Sequence, residues 1–205
     1  QALFVNIAKK LQKKIVAYAI GGTAMMFLGL KEATIDIDIV FIDEKDRKAF
    51  KEAVKSLGYG EIDINLTHKE NEPELIKILD SRIDLFLSKV IDSTFSEQMQ
   101  KRAVEIHQFD INLILKIANI HDIIIMKSVT GRAKDEEDIM SIIRNSEINW
   151  ETIIQEAKNQ IALDNSRAIL DLGTTLERIK KKSSLNIPDF VLDKLWDILQ
   201  EQIKE

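Results

Sequence analysis

The chain has 205 residues, 45% apolar and 31% charged, with a net charge of −5, which suits one globular domain with a real core plus a helical extension. There is no cysteine, so disulfides and thiolate chemistry are excluded; His68, His107 and His121 lack ligand spacing, so no histidine metal cage is expected and any metal should be hard and carboxylate-bound. No apolar run spans a membrane and no secretory h-region is present, so the expectation is a cytoplasmic protein with no membrane partner.

Leu3, Phe4, Ile7, Ala8 and Leu11 recur at helical spacing and predict a helix over residues 2–14. Ile15 to Ile20 is a buried strand entering a Gly21-Gly22 turn, after which Thr23 caps a helix to about Leu30. Ala33 to Phe41 alternates as a strand. Asp43 or Asp46 opens a helix with Ala49, Phe50, Ala53, Val54 and Leu57 inward, and Gly58 ends it. Glu61 to Leu66 reads as a strand, Asn71-Glu72-Pro73 as a turn, residues 74–79 as a short helix and Arg82 to Leu87 as a strand. Ala103–His107 and Asn112–Ala118 are further strands.

From His121 onward only helices are predicted, over 121–130, 135–144, 150–163, 165–181 and 189–203. Pro188 suits the first turn of the last, whose buried stripe is Leu192, Leu195, Trp196, Leu199 and Ile203. The seam is expected near Asn145–Asn149, giving a core over 1–145 and a helical region over 146–205. That region carries eight basic and eleven acidic residues, a charge of −3, which leaves −2 for the core. Neither part is a general polyanion binder.

Two aspartates, Asp36 and Asp38, interrupt an apolar strand. Two residues apart they share a face, about 7 Å from one another, while Ile35, Ile37, Ile39 and Phe41 fill the other. Asp84, in "RIDLF", is set the same way between inward Ile83 and Leu85. If the two strands are neighbours, three carboxylates converge and call for a divalent cation. Mg²⁺ suits oxygen ligands and substrate phosphates, and two ions about 3.5–4 Å apart would clamp the attacking and leaving oxygens of a phosphoryl or nucleotidyl transfer. Alone, the Asp-x-Asp pair reads equally well as a solvated face of an edge strand. The Gly21-Gly22 turn tips the balance, because its N–H groups can face an anion and glycine lets phosphate approach. Asp63 competes with Asp84 for third place but lies in a more polar segment.

This order of Ile20-Gly21-Gly22, Asp36-Ile37-Asp38 and Asp84 resembles the nucleotidyltransferase superfamily, the DNA polymerase β-like fold. "IHDIIIMKSVTGRAKDEEDIMSII" (Ile120–Ile143) further resembles the stretch after the core in AbiEii/AbiGii-type toxin nucleotidyltransferases and their relatives. Many members carry Gly-Ser where this chain has Gly22, which leaves backbone N–H groups or Thr23 for the phosphates.

The resemblance implies an α/β (α+β) core with a mixed sheet of about four to six strands, flanked by helices and followed by a helical C-terminal portion. It implies Asp36, Asp38 and Asp84 as catalytic and metal-binding, with two Mg²⁺ ions or Mn²⁺ in their place. Nucleotide-binding residues would be Gly21, Gly22, Thr23, Lys127, Arg132, Lys134 and Asp135, with Asp138 one turn further. NMP would pass from an NTP to a hydroxyl of a tRNA end or a protein, in the role of a toxin with a cognate antitoxin. The other reading is an inactive member that binds nucleotide or a partner protein. "RIKKK" (Arg178–Lys182) suits a helix C-terminus better than an RNA contact, and Trp150 and Trp196 read as packing residues.

Overall fold

The computed structural model describes residues 1–62 and 73–203. The described chain falls into two compact units, residues 1–90 with 100–118, and residues 91–99 with 119–205. Its elements are α1 (Ala2–Ala8), β1 (Ile15–Ala19), α2 (Gly21–Phe27), β2 (Asp36–Phe41), α3 (Glu44–Lys55), β3 (Gly60–Glu61), β4 (Glu74–Ile78), β5 (Ser81–Leu87), β6 (Lys89–Val90), β7 (Ser93–Thr94), α4 (Glu97–Arg102), β8 (Glu105–Phe109) and β9 (Leu113–Ile117), then the helices α5 (Ile120–Ser128), α6 (Ala133–Asn145), α7 (Trp150–Ala162), α8 (Ser166–Lys182) and α9 (Asp189–Ile203).

The first unit is built on a mixed sheet in the order β3-β4-β5-β2-β1-β9-β8, six strands of five to seven residues with two-residue β3 at one edge. β1 runs parallel to β9 and antiparallel to β2, and β2 runs parallel to β5. Central strands bury both faces, so Ile39, Val40 and Phe41 are all at 0% exposure. Asp43 caps α3, its carboxylate accepting from Lys45 N at 2.6 Å, and Phe50 of α3 packs on Phe41 with ring centroids 5.3 Å apart.

Several expectations change in this unit. The first helix stops at Ala8, after which tight turns bring Lys10 N to Ile7 O and Leu11 N to Ala8 O, and Leu11 is still buried. Residues 74–78 are a strand, not a helix. Ile76 and Ile78 are buried on either side of exposed Lys77, and Leu79-Asp80 turns the chain back into β5. Ile35 is 64% exposed and precedes β2, so the buried face begins further along, at Ile39 and Phe41. Asp84 is itself buried, not solvent-facing. Of the strand expected over 61–66, Glu61 belongs to β3, while Asp63 lies outside the described residues.

In the second unit the five predicted helices appear close to their expected bounds. Asn119 caps α5 and Asn149 caps α7, each side chain accepting from a first-turn N–H. Ile123, Ile124, Ile125 and Met126 are all buried, and an all-round apolar helix must be central, so α5 packs against α6, α7 and α8. α8 and α9 meet at Gly173, where a Cβ would lie 3.3 Å from the Trp196 ring. Residues 93–96 join this unit through a buried polar network. Glu156 accepts from Ser96 Oγ at 2.7 Å, and Gln160 bonds both the Thr94 N–H and its carbonyl. α5 and α6 pack with the later helices in this unit. No helix among the described residues is long and apolar enough to cross a membrane.

Candidate active site

Strand register assembles the three aspartates. Asp38 is the direct partner of Asp84 across the parallel β2–β5 pair, and Asp36 is the partner of Arg82. Adjacent strands lie about 4.8 Å apart, and these four residues share one face. Arg82 ties the group together. Its Nε donates to Asp84 Oδ1 at 2.8 Å, its Nη2 donates to Asp84 Oδ2 at 3.1 Å, and Nη2 lies 3.6 Å from Asp36 Oδ2. Burial alone would lower the guanidinium's pKa, but the hydrogen bond and charge of Asp84, then the charges of Asp36 and Asp38, outweigh it and raise it. Arg82 is the residue the sequence reading missed. An arginine two positions before a strand aspartate faces the same way, which is the signal that could have found it.

The Gly21 turn abuts this face. Gly21 has φ +53°, which favours glycine, and a Cβ there would lie 2.7 Å from Asp38 Oδ2, so a side chain would have to displace that carboxylate. At Gly22 a Cβ would lie 2.7 Å from Thr34 Oγ1, so the room a serine would need is taken by a threonine from the next segment. Thr23 does not cap α2. It lies inside the helix, 1% exposed, where its hydroxyl accepts from Asp38 N at 3.0 Å and donates to Asp36 O at 3.4 Å. Ile20 N donates to Asp38 O at 3.1 Å, so the strand–turn–helix element is stitched to the Asp-x-Asp backbone from both sides. Gly21→Ala is expected to cost about 1–2 kcal/mol from the left-handed backbone alone and to push the Asp38 carboxylate aside. Thermal melting checks the first effect and divalent-cation affinity the second.

Tyr18 pairs with Val40 and Lys116 pairs with Tyr18, so by alternation both lie on the face of Asp38, with Lys116 Nζ 5.8 Å from the Tyr18 ring centroid. Burial raises the Tyr18 pKa.

The Lys127 segment, in the second unit, forms an ion cluster. Lys127 is buried and donates to Asp135 Oδ1 at 2.6 Å and Asp138 Oδ2 at 2.7 Å. Asp135 does not cap α6 but sits in its first turn, where its other oxygen accepts from Thr130 Oγ1 at 2.7 Å and Arg132 Nε at 2.6 Å. Burial alone would raise the Asp135 pKa, yet Lys127, Thr130 and Arg132 together hold it below the usual carboxylate range. Gly131 (φ +65°) makes the break, and Arg132 and Lys134 are exposed. In "RIKKK", Arg178 and Lys182 reach Glu136, Lys181 reaches Glu177 and Lys180 reaches Asp189, as suits charges at a helix end.

Among the described residues no three acidic or imidazole side chains are already drawn around one point as a metal cage. The donor set of Asp36, Asp38 and Asp84 nonetheless fits a hard divalent cation: carboxylate oxygens on one face, still two negative charges in excess after Arg82 is counted.

Residues 3–184 match the family described as "Nucleotidyltransferase of unknown function (DUF6036)". The chain belongs to that family. The fold agrees with the solution structure of the antibiotic-resistance factor ANT(2'')-Ia, at 16% identity and a TM-score of 0.50, covering 89% of this chain and 95% of that one. JHP933 from Helicobacter pylori, a crystal structure, is also similar, at 18% identity and a TM-score of 0.44, covering 99% of this chain and 90% of that one. No curated protein matches the sequence. As a DUF6036 nucleotidyltransferase, the chain carries its Asp-x-Asp pair, third aspartate and Gly-Gly turn within the matched span.

Proposed function

We propose that this protein is an Mg²⁺-dependent nucleotidyltransferase that moves NMP from an NTP to a hydroxyl acceptor. The observation that carries the reading is the Asp38–Asp84 register pair, with Asp36 on the same face and Gly21 packed against Asp38. Asp36, Asp38 and Asp84 would hold the ions, which supply Lewis-acid polarisation of the phosphates and of the acceptor oxygen. Gly21 and Gly22 offer first-turn N–H groups, which a helix leaves without partners of its own, to the polyphosphate. Thr23 serves by holding the Asp-x-Asp backbone, since its hydroxyl is already engaged there. The acceptor oxygen forms a bond to the α-phosphorus, the bond to the β-phosphate's bridging oxygen breaks, and pyrophosphate leaves. Asp84 assists removal of the acceptor's proton.

The motif from Lys127 to Asp138, in the second unit, supports a nucleotide-binding role for that segment. Its accessible cations are Arg132 and Lys134, whereas Lys127 is engaged with Asp135 and Asp138. The likeness to AbiEii/AbiGii-type toxins supports a tRNA end or a protein hydroxyl as acceptor and a cognate antitoxin as partner. The test is incubation with each α-labelled NTP and Mg²⁺, with total tRNA and total protein as acceptors. Label on one acceptor, lost in Asp38→Asn, is expected. NTP binding that needs Mg²⁺ but transfers no label would select an inactive nucleotide-binding member, a reading that Arg82's two-point hold on Asp84 favours.

A further inference from the structure

The charge arithmetic of the site turns on Arg82. Asp84 is 5% exposed, and a buried carboxylate is costly unless paired. Both of its oxygens accept from the one guanidinium in the forked geometry that makes arginine–carboxylate pairs strong. The same guanidinium reaches toward Asp36 at 3.6 Å. Its charge is permanent, so it cannot yield the site by losing a proton; it can only move. Movement is open to it, because the Arg82 side chain is 39% exposed while that of Asp84 is 7% exposed. A divalent cation bound to Asp84 would stand within a few ångströms of this guanidinium, and two cations at that range in a half-buried site repel strongly.

We propose that Arg82 and the divalent cation compete for Asp84, so that Arg82 is an exchangeable counter-cation which the ion must dislodge to complete the three-carboxylate site. The proposal rests on the nucleotidyltransferase reading above. Arg82 is a positioning residue here, not a catalytic one. It keeps Asp84 in place on β5 and sets the ion concentration at which the site fills. Freed, its fork faces the carboxylate side of the sheet, where an incoming polyphosphate offers it paired oxygens.

Mn²⁺ titration of the full chain, followed by electron paramagnetic resonance, tests this in the parent, Arg82→Gln, Arg82→Lys and Asp38→Asn. Arg82→Gln is expected to bind Mn²⁺ up to about fivefold more tightly than the parent, the scale of one partly exposed ion pair. Arg82→Lys should fall between them, since a point charge cannot hold both oxygens. Melting curves give a second readout. Arg82→Gln should melt lower than the parent without Mn²⁺ and gain more than the parent when it is added, because the ion stabilises in proportion to its affinity. Equal or weaker Mn²⁺ binding by Arg82→Gln overturns competition while leaving the nucleotidyltransferase reading intact. Binding by Arg82→Gln alone supports it in its extreme form. If neither binds, or if Asp38→Asn binds like the parent, the metal reading falls and competition with it. Should Arg82→Gln fail to fold even with Mn²⁺, Arg82→Lys decides: affinity above the parent's supports competition, and affinity at or below it overturns it.

Discussion

Asp38→Asn is expected to abolish nucleotidyl transfer while leaving the protein as stable as the parent or more so. The two effects have one cause. Asp38 faces Asp84 across β2 and β5, with Asp36 on the same face, and the Arg82 guanidinium bonds Asp84 and reaches toward Asp36. Like charges directly opposite on neighbouring strands destabilise a sheet, so removing the middle one should stabilise by up to about 1 kcal/mol. On the proposed reading, the same removal takes away an oxygen that would hold the metal. A bound metal supplies several kcal/mol of transition-state stabilisation, so the rate should fall by roughly three orders of magnitude or more. Asparagine keeps the shape, so the Gly21 contact and the Thr23 hydrogen bond to the Asp38 backbone persist. Melting temperature and label transfer on the same preparation check both halves. A variant that melts well below the parent would mean that Asp38 is structural, and one that still transfers label would remove it from the site.

The way these elements could be read in advance follows from how local their causes are. Among the five C-terminal helices, α5 and α7 carry local side-chain caps at Asn119 and Asn149, and the apolar run of α5 marks a buried helix from a few neighbouring residues. The alternation of β2 and β5 puts Asp36, Asp38 and Asp84 each on the opposite face from its apolar neighbours, which is a period-two statement needing no tertiary knowledge. What failed was non-local. Strand β4 carries a lysine between two isoleucines, a pattern short enough to suit a helical turn, and only pairing with β5 decides it. In the sequence Arg82 is only the first residue of the strand expected over Arg82 to Leu87. Its role needs the knowledge that β2 is the neighbour of β5 and that Asp36 stands opposite. The duty of Thr23 likewise depends on β2 returning beside it, thirteen residues after its own position in the chain. In the sequence Lys127 is a cation that must reach water, a carboxylate or a ligand, and the choice is non-local, because the two carboxylates that meet it, eight and eleven residues on, approach only once α6 folds back on α5.

Lys127→Ala is expected to cost about 3–5 kcal/mol, the loss that follows when one partner of a buried ion pair is removed, against a total stability of about 5–15 kcal/mol for a native protein. Asp135 is 3% exposed and Asp138 9% exposed, and both turn to the same ammonium, so its removal takes a shared cation from two neighbouring buried carboxylates, with Arg132 and Thr130 still on Asp135. Lys127→Met keeps the apolar stem and isolates the charge; most of the loss should remain in it. Adding Asp138→Asn to Lys127→Met should restore part of it, because residues in one network do not act additively. Acid should narrow the difference. The folded Asp135 pKa lies below its ordinary value of 3.8, so the stability it contributes is complete above that value and is lost as pH falls through the lower, folded one. In Lys127→Met the same carboxyl gains by taking up a proton, so parent and variant converge in stability as pH falls through the carboxylate range. Denaturant unfolding at neutral and acid pH measures this. A variant within about 0.5 kcal/mol of the parent at neutral pH, the range of an ordinary surface change, would mean that the ion cluster does not hold α5 to α6. Nucleotide affinity measured on the folded variant then separates the two roles: unchanged affinity leaves Lys127 as a staple between helices, and weaker affinity at unchanged stability returns it to the phosphates.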